Sequence, residues 1–173
     1  MEIEDHPILE NLALHELGQM IKGIYEAKKQ FGATLGVNLR LEPTQILSGF
    51  NFGFVAPVYT RWLGLLLQKL IDIELLIASG NPGGEVLIIL EQNQEYVYIK
   101  MQTIAPEVIK GQELKLFTQY FADLGDKTNL KLGSGLEGFI AKTIATKLDI
   151  PLIVAVEGGR LIFQVNISKY PRI

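Results

Sequence analysis

The chain has 173 residues, enough for one domain with a core of its own. Hydrophobic residues make up 48% and charged residues 20%, which excludes intrinsic disorder as the main state. The net charge of −3 argues against nucleic-acid binding through bulk electrostatics, and the absence of cysteine excludes disulfides, thiolate metal sites and cysteine nucleophiles.

The chain opens on Met1, which favours a natural start. Glu2, Glu4 and Asp5 follow where a signal peptide would be basic and then apolar, so a cytoplasmic protein is expected. From Ile8 to Phe31, Leu9, Leu12, Ala13, Leu17, Met20, Ile21 and Ile24 keep three-and-four spacing, which predicts one amphipathic helix ended by Gly32. Val37 to Leu41 alternates apolar and polar residues as a short strand does. Pro43 to Pro57 is apolar and holds Gly49 and Gly53, suiting a second short strand and a loop. A second helix is expected over Val58 to Ser79, stopped by the run from Ser79 to Gly84. Gln68, Lys69, Asp72 and Glu74 interrupt its apolar surface, so it reads as a core helix and not a membrane span, with Trp62 packed inside.

Val86–Leu90 and Tyr96–Met101 read as two strands joined by a polar turn at Glu91–Glu95, with Tyr96 and Tyr98 sharing one face. A short helix follows at Lys110–Phe121, with Leu114, Phe117 and Phe121 on one side, and then a polar loop at Ala122–Leu132. Gly133, Ser134 and Gly135 lead into a helix from Leu136 to Leu148. Ile140, Ile144 and Leu148 recur along it, with Phe139 and Thr143 placed on the same side. A glycine-rich turn feeding a helix can present several unpaired N–H groups to an anion. Leu152–Val156 and Leu161–Ile167 flank Gly158-Gly159 as a tight hairpin. Strands that follow one another closely pair antiparallel, so the expected class is α+β: a two-layer sandwich with a mostly antiparallel mixed sheet and helices on one face.

This order of elements, with GSGLEG at residues 133–138, resembles the catalytic and ATP-binding domain of sensor histidine kinases, the Bergerat fold of the GHKL superfamily. The resemblance spans most of the chain and implies one histidine-kinase ATPase-like domain over residues 1–173. It equates Trp62–Ser79 with the helix that carries the family's asparagine motif. Phe117–Phe121 becomes the aromatic motif before the lid, and Ala122–Leu132 the lid.

It also exposes departures. Where the family has two asparagines, the second helping to hold magnesium, LLQKLIDIE places Lys69 and Ile73, with Asp72 and Glu74 turned to other faces by about 100° per residue. A hydrocarbon cannot ligate a hard cation. Lys69 could replace that cation's charge or reach out to solvent. Where the family has an aspartate-x-glycine box for the adenine amino group, this chain has Thr103-Ile104-Ala105. Losing one charge-assisted hydrogen bond costs roughly 1.5–3 kcal/mol. His15-Glu16-Leu17 resembles a phosphorylation box, yet Gly18 replaces its arginine, so His15 reads as solvated or packing. Lys142 reads as solvated and His6 as surface. The two histidines make no Ser/His/Asp set and no metal-ligand spacing.

Three readings follow. The first is a non-catalytic regulatory module, derived from a kinase ATP-binding domain, that docks a response-regulator-like or other signalling partner and takes no cofactor. The second is an active domain of a histidine kinase or an anti-sigma-type serine kinase, with ATP and magnesium held near Gly133, Ser134, Gly135, Leu136, Lys69 and Thr103. The third is an unrelated α+β domain binding a ligand at Pro43–Pro57. No nucleic acid or membrane is expected as a partner, and the oligomeric state is open.

Overall fold

The computed structural model describes residues 9–10, 13–42, 58–107, 109–111, 117 and 136–169. The expected short helix at 110–121 (apart from Phe117), the lid at 122–132, the turn at 133–135, the segment 43–57 and His6 lie outside these residues.

Helix α1 (Leu14–Thr34) buries Leu14, Leu17, Gly18, Ile21 and Ile24, the three-and-four spacing of a single stripe. It begins six residues later than its periodicity suggests, because Leu9–Glu10 forms a strand, β1, instead of a first turn. β1 pairs antiparallel with β3 (Val58–Tyr59), so backbone groups that a helix would consume go to a partner distant in sequence. The same pairing shortens the front of the second helix, α2, to Thr60–Ala78.

The main sheet has five strands: β2 (Asn38–Glu42), β4 (Glu85–Gln92), β5 (Tyr96–Ile104), β6 (Leu152–Glu157) and β7 (Arg160–Ser168). Its spatial order is β2-β4-β5-β7-β6, with β2 parallel to β4 and every other pair antiparallel. The mixed, mostly antiparallel α+β class is therefore as expected. The parallel pair arises because α2 lies between β2 and β4 in the chain and carries it back to the same end.

Strict alternation along β5 buries Val97, Ile99, Met101 and Thr103 and leaves Tyr96, Tyr98, Lys100 and Gln102 on the other face. The Tyr96 and Tyr98 rings lie 6.0 Å apart on that outer face. Met101, Phe163 and Val154 sit side by side in register on the inner face, beneath the helices. Phe117 packs edge-on to Phe163 at 5.1 Å.

α2 lies over β4 and β5 with α1 on one side and helix α3 (Leu136–Leu148) on the other. Enclosed so, it buries residues on nearly every side, which accounts for its continuous apolar run. The exception is Trp62 in its first turn, which is 37% exposed and not packed in the core. α3 departs from expectation too. Ala141, Ile144 and Ala145 are buried, but Phe139 and Thr143 face solvent, Phe139 at 60% exposure. Small residues at 141 and 145 let α3 approach α2 closely.

Two turns fix the frame. Gly158 and Gly159 have φ of +58° and +76°, the positive values that a two-residue hairpin between right-twisted strands requires. Gly84 serves by absence: a Cβ there would lie 2.2 Å from the Ala78 carbonyl oxygen at the end of α2. Its own carbonyl accepts from the Asn38 N–H at 2.9 Å, so the tight passage also starts the β2–β4 pairing.

Gly84→Ala should therefore destabilise the fold by about 1–3 kcal/mol in urea denaturation, as overpacking against fixed backbone does. Gly23→Ala, in the interior of α1 with nothing near its would-be Cβ, should instead stabilise by about 0.5–1 kcal/mol.

Candidate functional site

The residues suggested by the sequence lie on α2, at the end of β5 and at the start of α3, and α2 packs against both of the others. Thr103 belongs to the buried series of β5, so its hydroxyl needs an acceptor within the protein. It donates to the Glu85 carbonyl at 2.8 Å, and Thr103 is 1% exposed. Ala105 is 5% exposed, and its N–H donates to the Gly159 carbonyl at 2.9 Å. The Thr103–Ala105 corner is thus bonded internally to the first residue of β4 and to the β6–β7 turn.

On α2, Ile73 is 2% exposed and part of the hydrophobic core. Lys69, one turn earlier, is half-buried and has no ion pair among the described residues. Asp72 turns toward α1, where Lys28 Nζ lies 2.8 Å from Oδ1, a charge contact without the directionality of a hydrogen bond. Both partners are about one-fifth exposed, so the pair contributes at most about 1 kcal/mol.

Glu74 is the residue that helical geometry left unplaced. It is wholly buried, and neither carboxylate oxygen has a hydrogen-bond partner. Burial alone holds its carboxyl well above the usual carboxylate range, because the charged form loses water and gains nothing in return. No local pattern announces this, since a glutamate among leucines and isoleucines is also what an exposed helix position looks like.

Glu137 is the second residue that sequence reading passed over. It stands in the first turn of α3, directly after GSGL, and its Oε2 is buried without a partner. A carboxylate there faces the positive end of the helix dipole, the place an anion would otherwise take. The signal was legible as the acidic member of GSGLEG. Of the residues proposed to cradle a phosphate, Leu136 opens α3, while Gly133, Ser134 and Gly135 lie outside the described residues. Lys142 and His15 are exposed, as expected.

Between α1, α2 and the sheet, Ile21, Ile24, Leu67, Ile71, Ile88, Ile99 and Met101 close together and leave no volume for a water molecule. An open groove of about 310 Å³ runs between α1 and α2, but its polar groups are Gln19, Gln68 and the already paired Lys28, which form no catalytic set. Among the described residues no cluster of His, Asp or Glu could hold a metal ion, and no helix is long and apolar enough to cross a membrane.

Glu74 makes a testable contribution to pH dependence. Its folded-state pKa lies above the unfolded value of 4.5, so the folded form keeps a proton that the unfolded form releases. This contribution to stability is fully present below that value and is lost as pH rises toward the folded pKa, at about 1.4 kcal/mol per unit of separation. Glu74→Gln should therefore melt above the wild type at neutral pH, and the two melting curves should converge as pH falls toward 4.5.

No family model and no curated protein matches this sequence. Solved structures do match in shape. The nucleotide-free catalytic domain of histidine kinase ThkA aligns with a TM-score of 0.67 at 15% identity, over 95% of this chain and 97% of that one. The Acinetobacter baumannii histidine kinase AdeS aligns at 0.61 and 17% identity, over 94% of this chain and 68% of its own. A complex of ThkA with the response regulator TrrA aligns at 0.58 and 18% identity, over 88% of this chain and 40% of ThkA. Among the described residues a five-stranded mixed sheet lies under α1, α2 and α3, and the chain has the Bergerat-type fold of histidine-kinase catalytic and ATP-binding domains.

Proposed function

We propose that this domain is a regulatory interaction module that has kept the frame of a kinase ATP-binding domain without its nucleotide chemistry. The observation that carries the reading is the state of the base-reading corner: Thr103 is buried and its hydroxyl is spent on the Glu85 carbonyl. A neutral hydroxyl held inside the core by that bond replaces the exposed carboxylate that would accept from an adenine amino group. Two further features agree. Ile73 offers no ligand oxygen, and Glu137 places a carboxylate at the helix end that a phosphate would need. Both disfavour a polyanion with its metal ion.

The partner in this reading is a signalling protein of the response-regulator class, the kind that ThkA engages in its complex with TrrA. Docking of that kind uses the protein surface and places no demand on the interior residues that have changed.

Calorimetry with ATP and magnesium tests the proposal. The expected result is no binding heat and an unchanged melting temperature at millimolar nucleotide; saturable micromolar binding would overturn it. Titration with isolated receiver domains, without nucleotide, is expected to give binding that ATP does not alter.

A further inference from the structure

The two edges of the sheet are built differently. Edge strand β2 reads Asn-Leu-Arg-Leu-Glu, and its outward Arg40 bridges Glu42 at 2.9 Å and Glu85 at 3.2 Å. Such charge blunts an edge against pairing with another chain. Edge strand β6 reads Leu-Ile-Val-Ala-Val-Glu, uncharged over five consecutive residues, with Ile153 44% exposed. Among the described residues no strand pairs with its outer side.

The ladder shows which backbone groups that edge offers. The Asn166 N–H donates to the Pro151 carbonyl at 3.3 Å, one step before the Leu152–Val165 pairing. Antiparallel pairs alternate between bonded and non-bonded, so Ile153, Ala155 and Glu157 bond inward to β7. Leu152, Val154 and Val156 are left with their N–H and C=O groups pointing away from the sheet.

We infer that β6 is a self-association edge, pairing antiparallel with β6 of a second copy about a two-fold axis at Val154. The backbone alternation allows this register, and centring on Val154 gives the full overlap of Leu152–Val156. Centred on Val154, it sets Leu152 against Val156 of the second copy, Val154 against its own copy and Val156 against Leu152, so that every outward group finds a complement. A centre between Val154 and Ala155 would oppose outward groups to groups already bonded to β7.

Side chains agree with the choice. On the outer face Ile153 meets Ala155 of the second copy, large against small, and Glu157 meets Pro151, so no like charges face each other. An antiparallel pair of identical strands is isologous and closes as a dimer. The contact is one strand long, which places it in the transient size class, with dimer growing over a concentration series.

Val154→Pro separates this edge from the fold. The substitution removes an N–H that β7 does not use, and proline is tolerated on an edge strand with that side outward. Sedimentation velocity over a rising concentration series should show the wild type moving from monomer to dimer, and Val154→Pro and Ile153→Lys both staying monomeric. Should Val154→Pro fail to fold by circular dichroism, Ile153→Lys decides alone. The register has its own readout, because the chain has no cysteine. Ile153→Cys and Ala155→Cys proteins mixed under oxidation should cross-link, since such a non-bonded pair brings Cα atoms to about 4.5 Å. Either protein alone should cross-link far less. A wild type monomeric throughout, a dimer that persists in both edge variants, or equal cross-linking of the single variants would overturn the inference.

Discussion

Everything in this fold is arranged around the enclosure of α2. Eleven of its 19 residues are buried, and beyond the first turn only a narrow stripe through Leu65, Gln68, Lys69, Asp72 and Leu76 stays half-buried. A helix of that kind has no stable position on a surface; it must be covered by the sheet below and by a helix on each flank. The other features follow from that demand. α1 presents its stripe of Leu14, Leu17, Ile21 and Ile24, α3 presents small residues, and Gly84 lets the chain turn from the end of α2 directly into β4. Fully enclosed helices tolerate few polar groups, and this one holds Glu74 at its centre without a partner.

The burial of positions 103 and 73 is a consequence of the same geometry. Position 103 points inward because β5 alternates without a bulge, and position 73 points into hydrocarbon because α2 is covered. Whatever residues stand there are buried, so each must either bond within the protein or be apolar. Threonine meets the first condition through the Glu85 carbonyl and isoleucine the second. The result is an interior that satisfies itself, apart from two carboxylates. Of these, Glu137 sets a carboxylate in the first turn of α3, where it competes with an anion for the helix N-terminus, whereas Glu74 keeps its proton and adds no charge.

How much of this was legible in the sequence depended on the reach of the interaction concerned. The five strands of the main sheet and both hairpins could be read because alternation and the Gly158-Gly159 turn are local properties, whereas β1 and β3 were expected as helix. The core of α1 and the identity of α3 were readable from their periodicity. The start of α1 was not, because Leu9 continued the helical rhythm while its backbone went to Val58–Tyr59. Trp62 and Phe139 were misplaced for a related reason. Size and hydrophobicity suggest burial, but Trp62 is 37% and Phe139 60% exposed, each in or next to the first turn of its helix. In the candidate site, Thr103, Ile73 and Ala105 could be marked from the motif register, yet the burial of Glu74 could not, since whether a helix face is covered depends on α3 and the sheet.

The contrast between the two sheet edges carries the last step. A core that needs nothing outside the chain leaves its surface free to differ from edge to edge, and here the difference is sharp. Ion pairs at Arg40 guard β2, whose parallel pairing with β4 also lies nearest α1. β6 offers the opposite: backbone groups in a self-complementary spacing, apolar residues, and a charge only at Glu157, where the strand ends. Natural sheets that expose such an edge without charge, proline or bulge invite another strand. If association through β6 is what the interior's packing permits, then the Bergerat-type frame serves as a scaffold for contacts at its rim, and the buried Thr103 and Ile73 place no cost on that role.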